Sequence, residues 1–254
     1  MAKKNKTIVI NLSNIGKRYA SPIKKQEYFY ALKNISLKIT KGDKIGLTGD
    51  NGAGKTTLLK IITGITKPTS GSVYTKGKIV SLINLEAGFD EELSGRENII
   101  FNSMLHGLSR SEAKAKEKTI IRFAGIGKFI NAPFYTYSSG MRFRLAFSIA
   151  MASKPNIILI DEIFLAGDIK FQIKTLKMIT SLSQRDDTTL IISSHHPLIL
   201  RKFCTKFVIL KHGKIIKGTM QNILKLTKQW NNFFTDIPET KLEKKLSKNP
   251  FYQR

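Results

Sequence analysis

The chain has 254 residues, 41% of them hydrophobic and 24% charged, with 18 glycines, 7 prolines and a formal net charge of +25. That length supports one large or two small cores, and the proline and glycine content excludes a collagen-like or low-complexity chain. The one cysteine, Cys204, excludes an intramolecular disulfide and suits a reducing compartment, while every apolar run falls well short of the roughly 18 residues a membrane span needs.

Met1–Lys6 is basic, but the Thr7–Leu12 stretch behind it is too short for a signal-peptide core and is interrupted by Asn11. A cytoplasmic protein is expected. The positive charge admits three readings. Nucleic acid is one. An anionic membrane face, at about 1 kcal/mol per basic residue near the surface, is a second. Biased composition is the third, and the scattered lysines favour it. Only Lys241–Lys248 forms a cluster.

In chain order, Thr7–Leu12 and Ala31–Ile39 read as strands, with a polar loop over Ser21–Tyr28 between them. Lys44–Thr48 is a short buried strand that runs straight into a glycine-rich loop. The apolar spacing of Leu58, Leu59, Ile61 and Ile62 makes Lys55–Ile65 a helix, and Pro68 with Gly71 marks a turn. Helical segments follow at Glu97–Leu105 and Ser109–Ala124, then a short turn at Lys128–Asn131. Ser109 with Glu112 has the spacing of a capping box. Gly140–Ser153 is a further helix, Asn156–Ile160 an apolar strand, Phe171–Leu182 a helix and Leu190–Ser194 another apolar strand. Phe207–Leu210 and Lys214–Ile216 form a terminal hairpin across His212-Gly213. After about Trp230 the chain is polar and lysine-rich. Continuous apolar strands alternating with helices predict an α/β sheet covered on both faces. The helical stretch between Asp90 and Ser153 predicts a second lobe.

Residues 49–56 read G-D-N-G-A-G-K-T, which fits G-x-x-x-x-G-K-[ST]. Gly49, Asp50, Asn51, Gly52, Ala53 and Gly54 would curl so that backbone N–H groups face phosphate oxygens, with Thr57 at the start of the helix behind. The helix adds the positive end of its dipole. Lys55 would reach the β- and γ-phosphates, and Thr56 would hold Mg²⁺ through its hydroxyl. The expected ligand is ATP. Ile157–Ile160 is followed by Asp161-Glu162. An acid at the C-terminal edge of such a strand lies where α/β folds bind ligands, so Asp161 would orient Mg²⁺. Glu162 would act as general base on the attacking water. Taken alone, two acids here are as well explained as a helix cap; beside the phosphate loop they read as catalytic.

Tyr137–Ala146 reads Y-S-S-G-M-R-F-R-L-A. Here the sequence resembles the nucleotide-binding subunit of ATP-binding-cassette (ABC) transporters. The likeness is to the subfamily that exports capsular polysaccharide, lipopolysaccharide O-antigen and wall teichoic acid. It runs from about Ile8 to Gly218, and Ser94–Ile99 (S-G-R-E-N-I) and the D-E-x-x-x-x-G-D spacing through Asp168 also carry it. The resemblance implies a P-loop NTPase fold of the ABC type: a RecA-like core, an antiparallel β subdomain and a helical subdomain inserted at about 90–153. This domain would span 1–230, with a basic tail at 231–254.

The resemblance further implies a head-to-tail homodimer, with each ATP held between one copy's phosphate loop and the other copy's Ser138, Ser139 and Gly140. It makes His195 the residue that contacts the γ-phosphate, Asp168 the one that couples the two sites, and Tyr19 the ring that stacks on adenine. Tyr28 and Tyr30 are substitutes for Tyr19. The family's Gln that senses Mg²⁺ is missing from Ser81–Phe89; Asn84 is nearest in register, with Glu86 close by. The implied function is an exporter ATPase at the cytoplasmic face of the membrane, working with a separate integral-membrane permease and no nucleic acid. A transporter for a lipid, drug or peptide is the alternative. A soluble ABC ATPase acting on nucleic acid or ribosomes is disfavoured, because this chain carries one cassette and no long coiled coil.

Overall fold

The computed structural model describes residues 7–21, 27–83, 85–161, 168–195 and 197–218. It opens with two long strands, β1 (Ile8–Ala20) and β2 (Tyr28–Thr40), paired antiparallel. Both run well beyond the stretches their alternation predicts. Register shifts between Leu12 and Lys17, with Asn14 and Asn34 in the left-handed region at φ 52°, interrupt the period-two pattern. The expected loop shrinks accordingly, because β2 already begins at Tyr28.

β3 (Lys44–Gly49) leads through the glycine loop into α1 (Lys55–Ile62). α1 stops three residues short of the expected Ile65, and Gly64 at φ 79° turns the chain away. β4 (Ser70–Thr75) then joins β1 on its other side, completing a three-stranded sheet in the order β2-β1-β4. β4 is largely exposed and β5 (Ile79–Ser81) is only three residues long. Neither shows the apolar pattern from which a strand is predicted.

The helical stretch contains α2 (Gly95–Leu105), α3 (Arg110–Ala124), two 3₁₀ turns at Gly127–Asn131 and Phe134–Thr136, and α4 (Ser139–Ala152). Ser94 with Glu97, and Ser109 with Glu112, form complete capping boxes. β6 (Ile157–Asp161), α5 (Ile169–Ser183), β7 (Thr189–Ser193), α6 (Pro197–Phe203), β8 (Lys206–Lys211) and β9 (Lys214–Gly218) complete the described chain. α6 is an addition to the predicted elements.

The second sheet has six strands in the order β5-β6-β7-β3-β8-β9. It is parallel except for β9, which closes the predicted hairpin with β8. Three apolar clusters hold the layers together. Leu12, Ile35, Leu58, Leu59 and Leu210 fill the space around α1 between the two sheets. Phe147, Ile158, Phe171, Leu190 and Phe203 cover the other face of the six-stranded sheet. Ile99, Ile120, Ile130, Phe134 and Leu145 form the inside of the helical region. Each fully buried side chain of this kind contributes about 1.5–3 kcal/mol. Phe89 touches both of the last two clusters, and α4 supplies residues to each. The helical region therefore rests on the sheet through α4 and the segment around Phe89. Among the described residues, no helix is long and apolar enough to cross a membrane.

Candidate functional site

Four residues converge at the C-terminal edge of the six-stranded sheet. β3, β6 and β7 are adjacent parallel strands, so Gly49, Asp161 and the Ser193–His195 segment all end on one side. Ser194 donates its N–H to the Leu47 carbonyl at 3.1 Å, which carries β7's exit alongside β3's. Thr56, in the first turn of α1, donates its hydroxyl hydrogen to Asp161 Oδ2 at 2.8 Å. Lys55 is buried, and its Nζ donates to the carbonyls of Gly49 at 2.8 Å and Asp50 at 3.1 Å. The same Nζ lies 3.3 Å from His195 Nε2. An ammonium can only donate, so a hydrogen bond between the two would take the Nε2 lone pair as its acceptor.

The loop has the backbone of an anion cradle. Gly49, Gly52 and Gly54 have φ of 149°, 76° and 103°, conformations that side chains rarely adopt. A Cβ on Gly49 would run into the Leu210 carbonyl, and one on Gly54 into the Ala31 carbonyl of β2. Gly52 faces open space instead. Gly54 caps α1 with no side-chain hydrogen bond, and the first turn carries no acid. α2, α3, α4 and α5 are all capped by a serine or aspartate side chain. Helix N-terminal amides need a partner, and at α1 the concave loop leaves that role to an anion.

The donor set also fits Mg²⁺. Thr56 and Asp161 offer oxygens from two neighbouring elements, and Mg²⁺ typically takes one or two protein ligands together with substrate phosphates and water. A three-residue cluster of His, Cys, Asp or Glu that could hold a metal alone is absent among the described residues. The expected metal-sensing Asn84 and general base Glu162 lie outside the described residues.

Ser138 is the N-cap of α4, accepting from the Met141 N–H at 3.3 Å, and both Ser138 and Ser139 are exposed. Gly140 follows in the first turn. Asp168 caps α5, accepting from the Phe171 N–H at 2.9 Å, and its second oxygen accepts from Arg144 at 3.0 Å. The sequence reading missed Arg144. Its place two turns after Ser138 on α4 is legible, but its contact with α5 is not. Tyr19 sits opposite Phe29 across β1 and β2, with ring centroids 5.7 Å apart, and Lys17 Nζ lies 5.0 Å from its ring. Phe29 was missed as well. It pairs with Tyr19 only through the register of two strands whose alternation is broken by bulges. Tyr28 and Tyr30 are exposed, and Tyr28 lies under the Arg18 guanidinium at 4.6 Å. Phe29 is two residues from Ala31, whose carbonyl abuts Gly54, so the aromatic pair borders the loop.

Residues 32–165 match the sequence profile of the ABC transporter family. The O-antigen export system ATP-binding protein RfbB of Klebsiella pneumoniae is 36% identical over 241 residues, covering 87% of this chain and 98% of that protein. The teichoic acids export ATP-binding protein TagH of Bacillus cereus is 38% identical over 216 residues, covering 82% of this chain and 39% of that longer protein. A dimeric ATP-binding cassette solved in a post-hydrolysis state with ADP and Pi superposes with a TM-score of 0.69 at 27% identity, covering 82% of this chain and 97% of the other.

Proposed function

The chain belongs to the ABC transporter family, and from that premise we propose that it is the ATP-hydrolysing subunit of an exporter for a lipid-linked polysaccharide of the O-antigen, capsule or teichoic-acid kind. The observation that carries this reading is the meeting of Lys55, Thr56, Asp161 and His195 at one edge of the sheet, beside an uncapped, glycine-lined helix N-terminus. The export class is supported by similarity to ATP-binding proteins of O-antigen and teichoic acids export.

In this reading the loop from Gly49 to Gly54 wraps the ATP phosphates, with Asp50, Asn51 and Ala53 supplying backbone N–H groups and Thr57 closing the first turn. Lys55 exchanges its carbonyl partners for phosphate oxygens. His195 is held by Lys55 where it can meet the γ-phosphate. Thr56 and Asp161 hold Mg²⁺, which supplies charge neutralisation on the phosphates. Glu162 takes the proton of the attacking water. Tyr19 stacks on adenine, with Tyr28 and Tyr30 as the alternatives. Asn84, with Glu86 as its neighbour, occupies the place of the family's missing Gln.

Two solved structures of a cassette with this fold are dimeric. A second copy of this chain would bring Ser138, Ser139 and Gly140 onto the γ-phosphate, and Asp168 would link the paired sites. The domain would run over 1–230 with a basic tail at 231–254; everything after Gly218 lies outside the described residues. The subunit works peripherally at the cytoplasmic face, against a separate membrane permease. Leu105 of α2, exposed like Phe101 and Met104 on the same helix, lies beside Gly88 and suits a permease contact.

Two measurements test the reading. Purified protein should hydrolyse ATP, and Glu162→Gln should stop hydrolysis while retaining ATP. In cells, loss of the chain should trap undecorated polymer inside. If the polymer still reaches the surface while ATP hydrolysis is intact in vitro, the cargo class is wrong and the ATPase assignment stands.

A further inference from the structure

Glu91 and Arg142 are not among the residues assigned to the nucleotide, yet they make the most fully engaged ion pair at the base of the helical region. Arg142 donates to both oxygens of Glu91, at 2.5 and 2.7 Å. Its Nε donates to the Tyr137 carbonyl at 3.2 Å, and Nη2 also reaches the Tyr135 carbonyl at 3.4 Å. The guanidinium lies 4.8 Å from the centroid of Phe134, which stacks on Phe89 at 4.6 Å. Glu86 Oε2 stands 4.0 Å from Nη1. A planar fork holding a carboxylate on one side and carbonyls on the other fixes orientation as well as distance.

The backbone repeats the connection. The Tyr135 N–H donates to the Glu91 carbonyl and the Phe134 N–H to the Leu93 carbonyl, while Gly95 donates to Ala132. Residues 91–95 and 132–135 are thus laced together. Tyr137, which the guanidinium grips, immediately precedes Ser138, the N-cap of α4. On the other side, Gly88 lies against Leu105 of the exposed apolar end of α2.

We infer that the Glu91–Arg142 pair is a clamp that makes the 86–91 segment and the Ser138 end of α4 move as one body, so that the placement of this segment sets the placement of Ser138 and Gly140. Glu91 and Arg142 are positioning residues. They act through the Ser138–Gly140 segment, and the inference rests on the proposed role of Ser138 across the dimer. A partner bearing on the 86–91 segment or on Leu105 would move the far half of the nucleotide site without touching the near half.

The test uses the full chain with Mg²⁺ and ATP. Glu91→Gln removes the carboxylate charge at an exposed position, and Arg142→Lys keeps the charge but loses the fork. Each should lower kcat roughly tenfold, as expected when a reacting group is misplaced by a fraction of an ångström to 1 Å. ATP affinity, measured at dilutions where the protein is monomeric, should stay within about twofold. The double variant should be no slower than the slower single variant, because both changes break one device. Hydrogen exchange should speed up together in 86–93 and 134–140. Unchanged kcat in Glu91→Gln, multiplicative losses in the double variant, or an ATP affinity that falls in step with kcat would each overturn the clamp. Ser138→Arg separates the two levels. If it leaves hydrolysis unchanged, the cross-dimer reading fails. If it abolishes hydrolysis while Glu91→Gln does not slow it, only the clamp fails.

Discussion

The N-termini of α1 and α4 are built in opposite ways. α1 begins on Gly54 at φ 103°, without a side-chain cap, behind a loop where Gly49 and Gly54 leave no room for a Cβ against the Leu210 and Ala31 carbonyls. Its lysine is buried and already turned inward onto loop carbonyls. α4 begins on Ser138, which satisfies a backbone N–H of its own helix, and its serines stand in solvent. The first end is a cradle complete within one chain. The second is a sound helix start that needs no ligand, and in the proposed dimer it would become half a site only when another copy brings a nucleotide. A cradle of the first kind should bind nucleotide as a monomer, whereas an end of the second kind should matter only after assembly.

The largest effect should therefore fall at α1. Lys55→Ala removes the only side-chain cation in the loop, and kcat/KM for ATP should drop on the order of 10³-fold, in the range seen for losing a donor to developing charge. Equilibrium ATP binding should weaken in the same variant. Ser138→Arg should give the contrasting signature: kcat down roughly 10²-fold, because the closed geometry cannot form, with monomeric ATP affinity unchanged. Equal losses of affinity in both variants would erase the distinction between the two ends.

A smaller effect separates shape from chemistry. Gly54→Ala forces a side chain into a left-handed conformation and into the Ala31 carbonyl. It should cost about 1–3 kcal/mol of stability, visible as a lower Tm without ATP. Ser138→Ala removes a helix cap at an exposed position and should cost about 1 kcal/mol. If Gly54→Ala proves as mild as Ser138→Ala, the strained cradle is not what distinguishes α1.

The same contrast explains what could be read from the chain. The phosphate loop is local: its glycines, lysine and threonine are contiguous, and strand and helix flank them, so residues 49–56 specify both structure and chemistry. The capping box of Ser109 with Glu112 was legible for the same reason. Ser138 looked like an ordinary cap, and it is one; its proposed second role came only through resemblance to a family. Phe29, Arg142 and Arg144 were missed because their partners lie across a bulged strand pair, 51 residues away and 24 residues away. β4 escaped because its side chains are almost all exposed, and β5 because it is only three residues long. Sheet order was equally hidden, since nothing local places β3 between β7 and β8.

The finest comparison concerns what covers each end, and the chain's own cysteine makes it measurable. Cys204 is buried, and that burial pushes its thiol up to about 12, so almost no thiolate exists near neutral pH. Thiolate is the reactive form. Native protein should therefore react with a maleimide only as fast as it opens. The stability contributed by the neutral thiol is lost as pH climbs from the ordinary value of 9.0 toward 12, and the thiol of the opened state is increasingly thiolate as pH rises, so background labelling should climb steadily with pH. Against that low background, Ser139→Cys places one exposed thiol at the start of α4. Its labelling should slow when ATP is added to a variant that binds without hydrolysing, such as Glu162→Gln, and the slowing should grow with protein concentration. Slowing that is independent of protein concentration would mean that α4 is covered from within its own chain, and the division of the site between two copies would have to be abandoned.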